Sequence, residues 1–309
     1  MKSKMKFFKN LATAGIIVAV IILSTDSSLA QRAYLTENFA VSDNAKIEVE
    51  TSGGSIELVG ENTDEVRVEM YVRKRGREID RDDTDLDDWD IKIEKEGNTV
   101  YAIAKREGRS WGNNNLSISF KVFAPTKSIG NLSTSGGSIR LENLIGDQTA
   151  RTSGGSINAE NIGGDIKLKT SGGSITLSDI EGYAEVNTSG GRIRAEKITG
   201  GIDARTSGGS ITLDGISGNV EAKTSGGSID AEVLNPDQFI ELRTSGGSIS
   251  VTIPKDKGYD LDLGGNRVRA DLHNFQGEFD KNDMEGTMNG GGTKLRARTS
   301  GGSVNLRYL

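Results

Sequence analysis

From Thr134 to Ile249 apolar and polar residues alternate in short runs, and a returning hexapeptide separates the runs. Thr-Ser-Gly-Gly-Ser-Ile starts at Thr134, Thr152, Thr170, Thr206 and Thr224, with a variant at Thr188, each start 18 residues after the last. The copy at Thr244 follows after 20, and outlying Thr-Ser-Gly-Gly turns stand at Thr51 and Thr299. In the unit that begins at Thr152, the apolar residues Ile157, Ala159, Ile166 and Leu168 sit between polar neighbours. That is period two, the mark of a strand. Each unit therefore predicts two short strands, one after Gly-Gly and one before the next Thr, with a second corner near Ile162-Gly163-Gly164. Glycine is expected at both corners because a tight bend needs positive φ. No window places apolar residues at i, i+3, i+4 and i+7, which excludes an amphipathic helix.

A fixed period of this length implies stacked coils, with one repeat position becoming a ladder of like side chains about 4.8 Å apart. Ile139, Ile157, Ile175, Ile193, Ile211, Ile229 and Ile249 are expected to form the main buried ladder. Beside it Leu141, Ala159, Leu177, Ala195, Leu213 and Ala231 alternate large and small, as a narrow interdigitated interior requires. Leu144, Ile162, Ile180, Ile198, Ile216 and Leu234 are expected to fill the second corner. The expected fold is all-β: a single-stranded parallel β-solenoid, or β-helix, of about 18 residues per coil with irregular coils capping both ends. An outer-membrane barrel also alternates, but its outward residues face lipid, and here Glu142, Glu160, Lys167, Glu185, Glu221 and Glu241 would stand there.

The pattern divides the chain into four parts: a signal peptide at 1–30, capping β coils with a charged excursion at 31–127, the regular array at 128–253, and further capping coils at 254–309. Lys2, Lys4, Lys6 and Lys9 precede an apolar run from Leu11 to Leu23, and Ser28-Leu29-Ala30 supplies small residues for cleavage before Gln31. The run is short of the roughly 20 residues a span needs. We therefore expect an exported protein, periplasmic, cell-surface or extracellular, with no membrane span once the segment is cut. In 31–127 strands are expected at Ala45 to Glu50, Ile56 to Val59, Val66 to Val72, Trp89 to Lys95, Val100 to Ala104 and Leu116 to Phe123. The Arg73 to Asp88 and Glu107 to Asn115 stretches read as projecting loops. Past Ile249 the period breaks, with strand spacing at Tyr259, Leu261 and Leu263 and a turn at Gly290-Gly291-Gly292.

Charge and composition then narrow the function. The chain has no cysteine, which removes disulfides and a lipid-anchored cysteine together. Without residues 1–30 it carries 34 basic and 43 acidic residues, a formal charge of −9 that disfavours nucleic acid and anionic lipid as partners. One histidine, His273, lies outside the array, so neither a His or Cys metal site nor a His-assisted Ser or Thr nucleophile is expected. Asp83, Asp85, Asp87 and Glu94 imitate a calcium loop, but position six is Asp88 instead of glycine and the segment that follows reads as strand, which favours a solvated acidic loop. A single threonine per coil, before each bend, predicts a hydroxyl ladder closing the corner and not an ice-binding face. The better candidate surface is a basic row just before each Thr: Arg151, Lys169, Arg205, Lys223 and Arg243, with Asn187 interrupting it. Glu142, Glu160, Ser178, Glu196, Asp214 and Glu232 form an acidic row on the other strand. The basic row is a candidate polymer-binding ladder; its bland counterpart is a solubilising strand face.

The opening Ile47 to Ile56 with its Thr-Ser-Gly-Gly, the strand ending at Pro125, the repeated coils, the break at Ile253-Pro254 and the closing Arg298-Thr299-Ser300-Gly301-Gly302-Ser303-Val304 together resemble the bacterial putative-adhesin family of β-strand-repeat proteins of unknown function, similar to autotransporter-head domains of the GIN type. The resemblance implies a β-solenoid at the cell envelope with no recognised active site. The expected function is thus non-catalytic: an exported binding or structural module whose partner is an envelope or extracellular polysaccharide or a surface protein, with no cofactor. The alternatives are a polysaccharide-active β-helix enzyme, motivated by the carboxylate ladder, and an accessory in envelope-stress signalling.

Overall fold

A computed structural model describes residues 33–79, 86–107 and 116–309, and every regular element among them is a strand, 26 in one sheet. The leader expected at 1–30, and Asp83 and Asp85 of the calcium-like pattern, lie outside the described residues.

In the middle of the chain the period becomes a register. Strands after Gly-Gly, β10 (Ile139–Ile145), β12 (Ile157–Gly163), β14 (Ile175–Glu181) and β16 (Ile193–Thr199), pair in parallel with one another. Strands before Thr do the same: β9 (Ser128–Thr134), β11 (Gln148–Thr152), β13 (Ile166–Lys169), β15 (Ala184–Thr188) and β17 (Ile202–Thr206). The longer β18 (Ile211–Lys223) and β19 (Ile229–Thr244) run through the second corner and continue both stacks. Ile139 faces Ile157, Ile157 faces Ile175, and Ile175 faces Ile193, and all seven isoleucines of the ladder are at most 1% exposed. The second-corner ladder holds from Leu144 to Ile216 but not at Leu234, which is 46% exposed. There the 20-residue unit shifts the register, and Val233 takes the buried place opposite Ile216.

Glycine serves the two corners differently, which corrects the expectation of positive φ at both. Left-handed backbone occurs at the second corner, at Asn143, Asn161, Asp179 and Lys197 and at the following Gly146, Gly164, Gly182 and Gly200. Neither glycine of the Thr-Ser-Gly-Gly bends from 134 to 247 is left-handed. At those bends the second glycine is required by contact: a Cβ on Gly173 would lie 2.0 Å from the carbonyl oxygen of Gly155, and one on Gly155 equally close to that of Gly137. The first glycine is looser, its nearest neighbour 3.6 Å from a Cβ at Gly172.

Threonine closes the same bend. The Thr170 hydroxyl donates to the Gly155 carbonyl of the previous repeat at 2.8 Å and accepts from the Gly173 N–H of its own repeat at 3.3 Å. The pair of bonds recurs at Thr134, Thr152, Thr188, Thr206, Thr224, Thr244 and Thr299. These threonines are buried, so the row is a set of inter-coil staples, as its position before the bend predicts.

The all-β class is borne out, but the sheet as a whole is mixed because both ends turn antiparallel. At the start, β1 (Leu35–Ala40) runs antiparallel to β4 (Glu65–Lys74), and β4 antiparallel to β8 (Leu116–Pro125). β8 then pairs in parallel with β3 (Ile56–Glu61), which joins β10. On the other side β6 (Trp89–Glu96) forms an antiparallel pair with β7 (Thr99–Arg106), which lies parallel to β2 (Ala45–Thr51) and through it to β9. At the far end β20 (Ile249–Ile253), β26 (Ser303–Tyr308) and β22 (Arg267–Ala270) extend one stack in parallel. β25 (Thr293–Thr299) and β21 (Tyr259–Gly264) extend the other, and β21 is followed by antiparallel β24 (Asp283–Met288) and β23 (Phe275–Phe279).

Candidate functional site

The five residues of the basic row arrive in one file on the outer face of the strands that precede Thr. Arg151 faces Lys169, Lys169 faces Asn187, Asn187 faces Arg205, and the file continues through Lys223 to Arg243. Inward neighbours such as Leu168, Ala204 and Leu242 anchor each strand in the core, so the backbone under the row is held by packing. One further member escaped the sequence reading: Arg298 lies opposite Arg243. Its Arg-Thr-Ser-Gly-Gly spelling, shared with Arg151, Arg205 and Arg243, was the available signal.

Beside the bases runs a second file, Lys167, Glu185, Asp203, Glu221, Glu241, Arg296 and Asp262, four acids in succession between two cations. The two files neutralise each other. Arg205 reaches Asp203 at 2.9 Å and Glu221 at 2.8 Å, Lys223 reaches Glu221 at 2.5 Å and Glu241 at 3.5 Å, and Arg243 reaches Glu241 at 2.7 Å. Glu185, lacking a base at Asn187, takes Lys167 at 2.6 Å instead. Arg151 and Lys169 have no carboxylate partner among the described residues and are exposed. The row is thus without carboxylate partners at Arg151 and Lys169 and ion-paired from Arg205 to Arg243.

Within the acidic file the members are not equivalent. Asp203 is 9% exposed, and its Oδ1 has no hydrogen-bond partner. Burial pushes its carboxyl above the usual carboxylate range, against the pull of Arg205. Its register neighbour Glu221 is held below that range by hydrogen bonds from Lys223 and Arg205. The Tyr183 phenol beside them is pushed up by its own burial and by Asp203.

The basic file ends in a cleft of about 700 Å³. Lys223, Arg243, Arg296 and Arg298 line it together with Asn282 and Asp283 from the turn before β24. Opposite Arg298 the register places Gly264, where a Cβ would lie 2.7 Å from the Arg298 guanidinium, so the missing side chain gives that group its room. Arg298 donates from Nε to Asp262 at 2.6 Å and from Nη1 to Asp283 at 3.1 Å, tying the hairpin to the stack; these bonds raise its pKa, Asp262 first.

The other candidates resolve simply. His273 is exposed between β22 and β23. The acidic row of the opposite strand keeps its file from Glu142 to Asp214, with Arg140 paired to Glu142 and Arg194 to Glu196. Among the described residues no group of three or more His, Asp or Glu side chains is arranged to hold a metal ion, and no helix is long and apolar enough to cross a membrane.

The family model described as Toastrack DUF4097 matches residues 44–307. A crystal structure of a putative adhesin from Bacteroides fragilis is 14% identical with a TM-score of 0.40, covering 89% of this chain and 96% of that one. A putative cell adhesion protein from Clostridium sporogenes is 10% identical with a TM-score of 0.22, covering 89% and 99%. No curated protein matches the chain.

Proposed function

Since the chain belongs to the Toastrack DUF4097 family, we propose that it is an exported, non-catalytic binding module whose basic file grips an acidic polymer of the cell envelope. In this reading the chain winds as one continuous solenoid of 18-residue coils, with 31–127 and 254–309 capping the array at 128–253. The carrying observation is the file itself: Arg151, Lys169, Arg205, Lys223, Arg243 and Arg298 share one register position on parallel strands, with only Asn187 interrupting them between Lys169 and Arg205. Adjacent strands are about 4.8 Å apart, so the file offers cations at a regular pitch along one line.

Pairing with the acidic file decides what kind of anion is favoured. A single carboxylate would have to displace an internal partner, and exposed ion pairs are worth only about 0–1 kcal/mol, so the net gain per contact is small. A polymer makes many such exchanges at once, each after the first being intramolecular. The surface therefore selects repeating anions over free ones. The test is binding of the chain to polygalacturonate at two ionic strengths, beside a variant with Arg151, Lys169, Arg205 and Lys223 changed to Glu. Salt-sensitive binding lost in the variant is expected; undiminished binding of the variant to every anionic polymer tried would overturn the proposal.

One observation favours the enzymatic alternative over the remaining ones. Asp203 and Glu221 face each other in register with carboxyl groups pushed in opposite directions, the split that lets one act as acid while the other stays ionised. Release of reducing ends from acidic glycans by the wild-type chain and not by Asp203→Asn would support it. Absence of such products with the wild type returns the pair to the ion-paired face.

A further inference from the structure

Along most of its length the basic file lies on an open sheet face. At its end Lys223, Arg243 and Arg298 share a cleft with Gly264 to Asn266 and with Asn282 and Asp283. The cleft volume of about 700 Å³ falls inside the range of about 300–1,000 Å³ typical of small-ligand sites. Its lining holds four cations, Lys223, Arg243, Arg296 and Arg298, against one carboxylate, Asp283. The acids that partner these cations, Glu221, Glu241 and Asp262, belong to the neighbouring file and are absent from the lining. Arg243 and Arg296 make their ion pairs through Nε, at 2.7 and 3.0 Å, so the Nη1–Nη2 edge of each is not the edge taken by that pairing. That edge is the fork that matches a carboxylate. Arg298 is already committed to Asp262 and Asp283 and ties β25 to β21 and β24.

We propose that this cleft is the specific subsite of the module and takes the carboxylate of a uronate sugar, with Lys223 and Arg243 as its principal ligands. The proposal rests on the polymer-binding reading above and narrows it: short acidic oligosaccharides bind at the cleft, and the rest of the file adds affinity only for longer chains. Ser245 and Ser300, also in the lining, supply hydroxyl groups for the uncharged part of the sugar.

The experiment uses the full chain, tetragalacturonate and polygalacturonate as probes, and two double variants, Lys223→Gln with Arg243→Gln and Arg151→Gln with Lys169→Gln. Arg298 is left intact because its removal would loosen the hairpin. Thermal midpoints of both variants first establish that each is folded. The expected result is a tenfold or greater loss of tetragalacturonate affinity in the cleft variant, no change in the Arg151 and Lys169 variant, and weakened polymer binding in both. Equal loss in the two variants, or none in the cleft variant, overturns the subsite while leaving the binding face standing. Equal competition by inorganic phosphate and by free galacturonate overturns the assignment to a uronate. Failure of the wild type to bind polygalacturonate at all removes both the subsite and the reading beneath it.

Discussion

The array and its ends solve opposite problems with the same strands. From 128 to 253 the parallel strands repeat one register apart from the shift in the 20-residue unit, no aromatic side chain is buried, and the apolar interior is built from Ile, Leu, Val and Ala. Trp89, Phe120 and Tyr259, together with Met70, Met284 and Met288, are buried in the end regions. A parallel stack has a constant interior thickness, so aliphatic residues, uniform in the isoleucine ladder and alternating Leu and Ala beside it, fill it throughout; where it stops, it leaves a row of unpaired backbone groups that invites further strand addition. Antiparallel pairs β6–β7 and β1–β4–β8 at one end and β21–β24–β23 at the other turn the chain back over those groups, and large side chains fill the irregular space beneath. Uniformity therefore belongs to propagation, and irregularity to termination.

Glycine offers the sharpest way to break this comparison, because the same residue answers to contact in the array and to backbone conformation at an end. A methyl on Gly173 meets the Gly155 carbonyl at 2.0 Å with coils packed on both sides, so Gly173→Ala is expected to cost about 3 kcal/mol or more. Gly172→Ala, one residue away, should change stability by less than about 1 kcal/mol, since its nearest neighbour is 3.6 Å off and its φ is ordinary. At the turn of the β6–β7 pair, Gly97 has open space but a φ of 59°. Gly97→Ala should cost about 1–2 kcal/mol and Gly97→Asn distinctly less, because Asn tolerates the left-handed region. Denaturant midpoints of the four variants check the order, and a Gly173→Ala chain as stable as Gly172→Ala would dissolve the distinction.

Threonine gives a smaller effect in the same frame. Thr170→Val removes one donor and one acceptor from a buried bend and should cost about 1–3 kcal/mol in global stability. Thr299→Val deletes the equivalent bonds in the last coil, where fewer layers depend on them. Hydrogen exchange is expected to show deprotection confined to the C-terminal strands for Thr299→Val and spread through neighbouring coils for Thr170→Val.

How much of this was legible follows from the same contrast. The period of 18 and the alternation within it sufficed for the isoleucine ladder, the threonine staples and the single file of bases, because in a stack sequence spacing becomes register directly. Six N-terminal strands were also readable from alternation. β1 was not: its burial follows no alternating pattern, and it is held as an edge by backbone pairing to β4. β24, Asp-Met-Glu-Gly-Thr-Met, lacks strand-forming composition and is placed by its partners β21 and β23. The cleft was invisible for that reason, since the hairpin that carries β24 supplies Asn282 and Asp283 to its lining. The antiparallel closure, and the steric role of the second glycine, depend on which backbone lies across the way, and spacing alone does not record it.

The smallest expected effect separates two acids that spacing made equivalent. Asp203 and Glu221 stand on adjacent coils at the same repeat position, yet burial raises the first pKa and hydrogen bonds from Lys223 and Arg205 lower the second. For Asp203 the folded state prefers the protonated form, so its contribution is fully present below the unfolded value of about 3.9 and is lost as pH rises through the raised folded value. For Glu221 the contribution is present above the unfolded value of about 4.3 and disappears as pH falls through the lowered folded value. Stability measured by denaturant midpoint from pH 3 to pH 7 should therefore respond in opposite senses: relative to wild type, Asp203→Asn gains as pH rises and Glu221→Gln loses. The slopes are set by burial at one acid and ion pairing at the next, since the unpaired Oδ1 of Asp203 is shielded while the Glu221 carboxylate is shared by two cations. Parallel curves for the two variants would mean that the acidic file is uniform after all, and the enzymatic alternative would lose the asymmetry on which it rests.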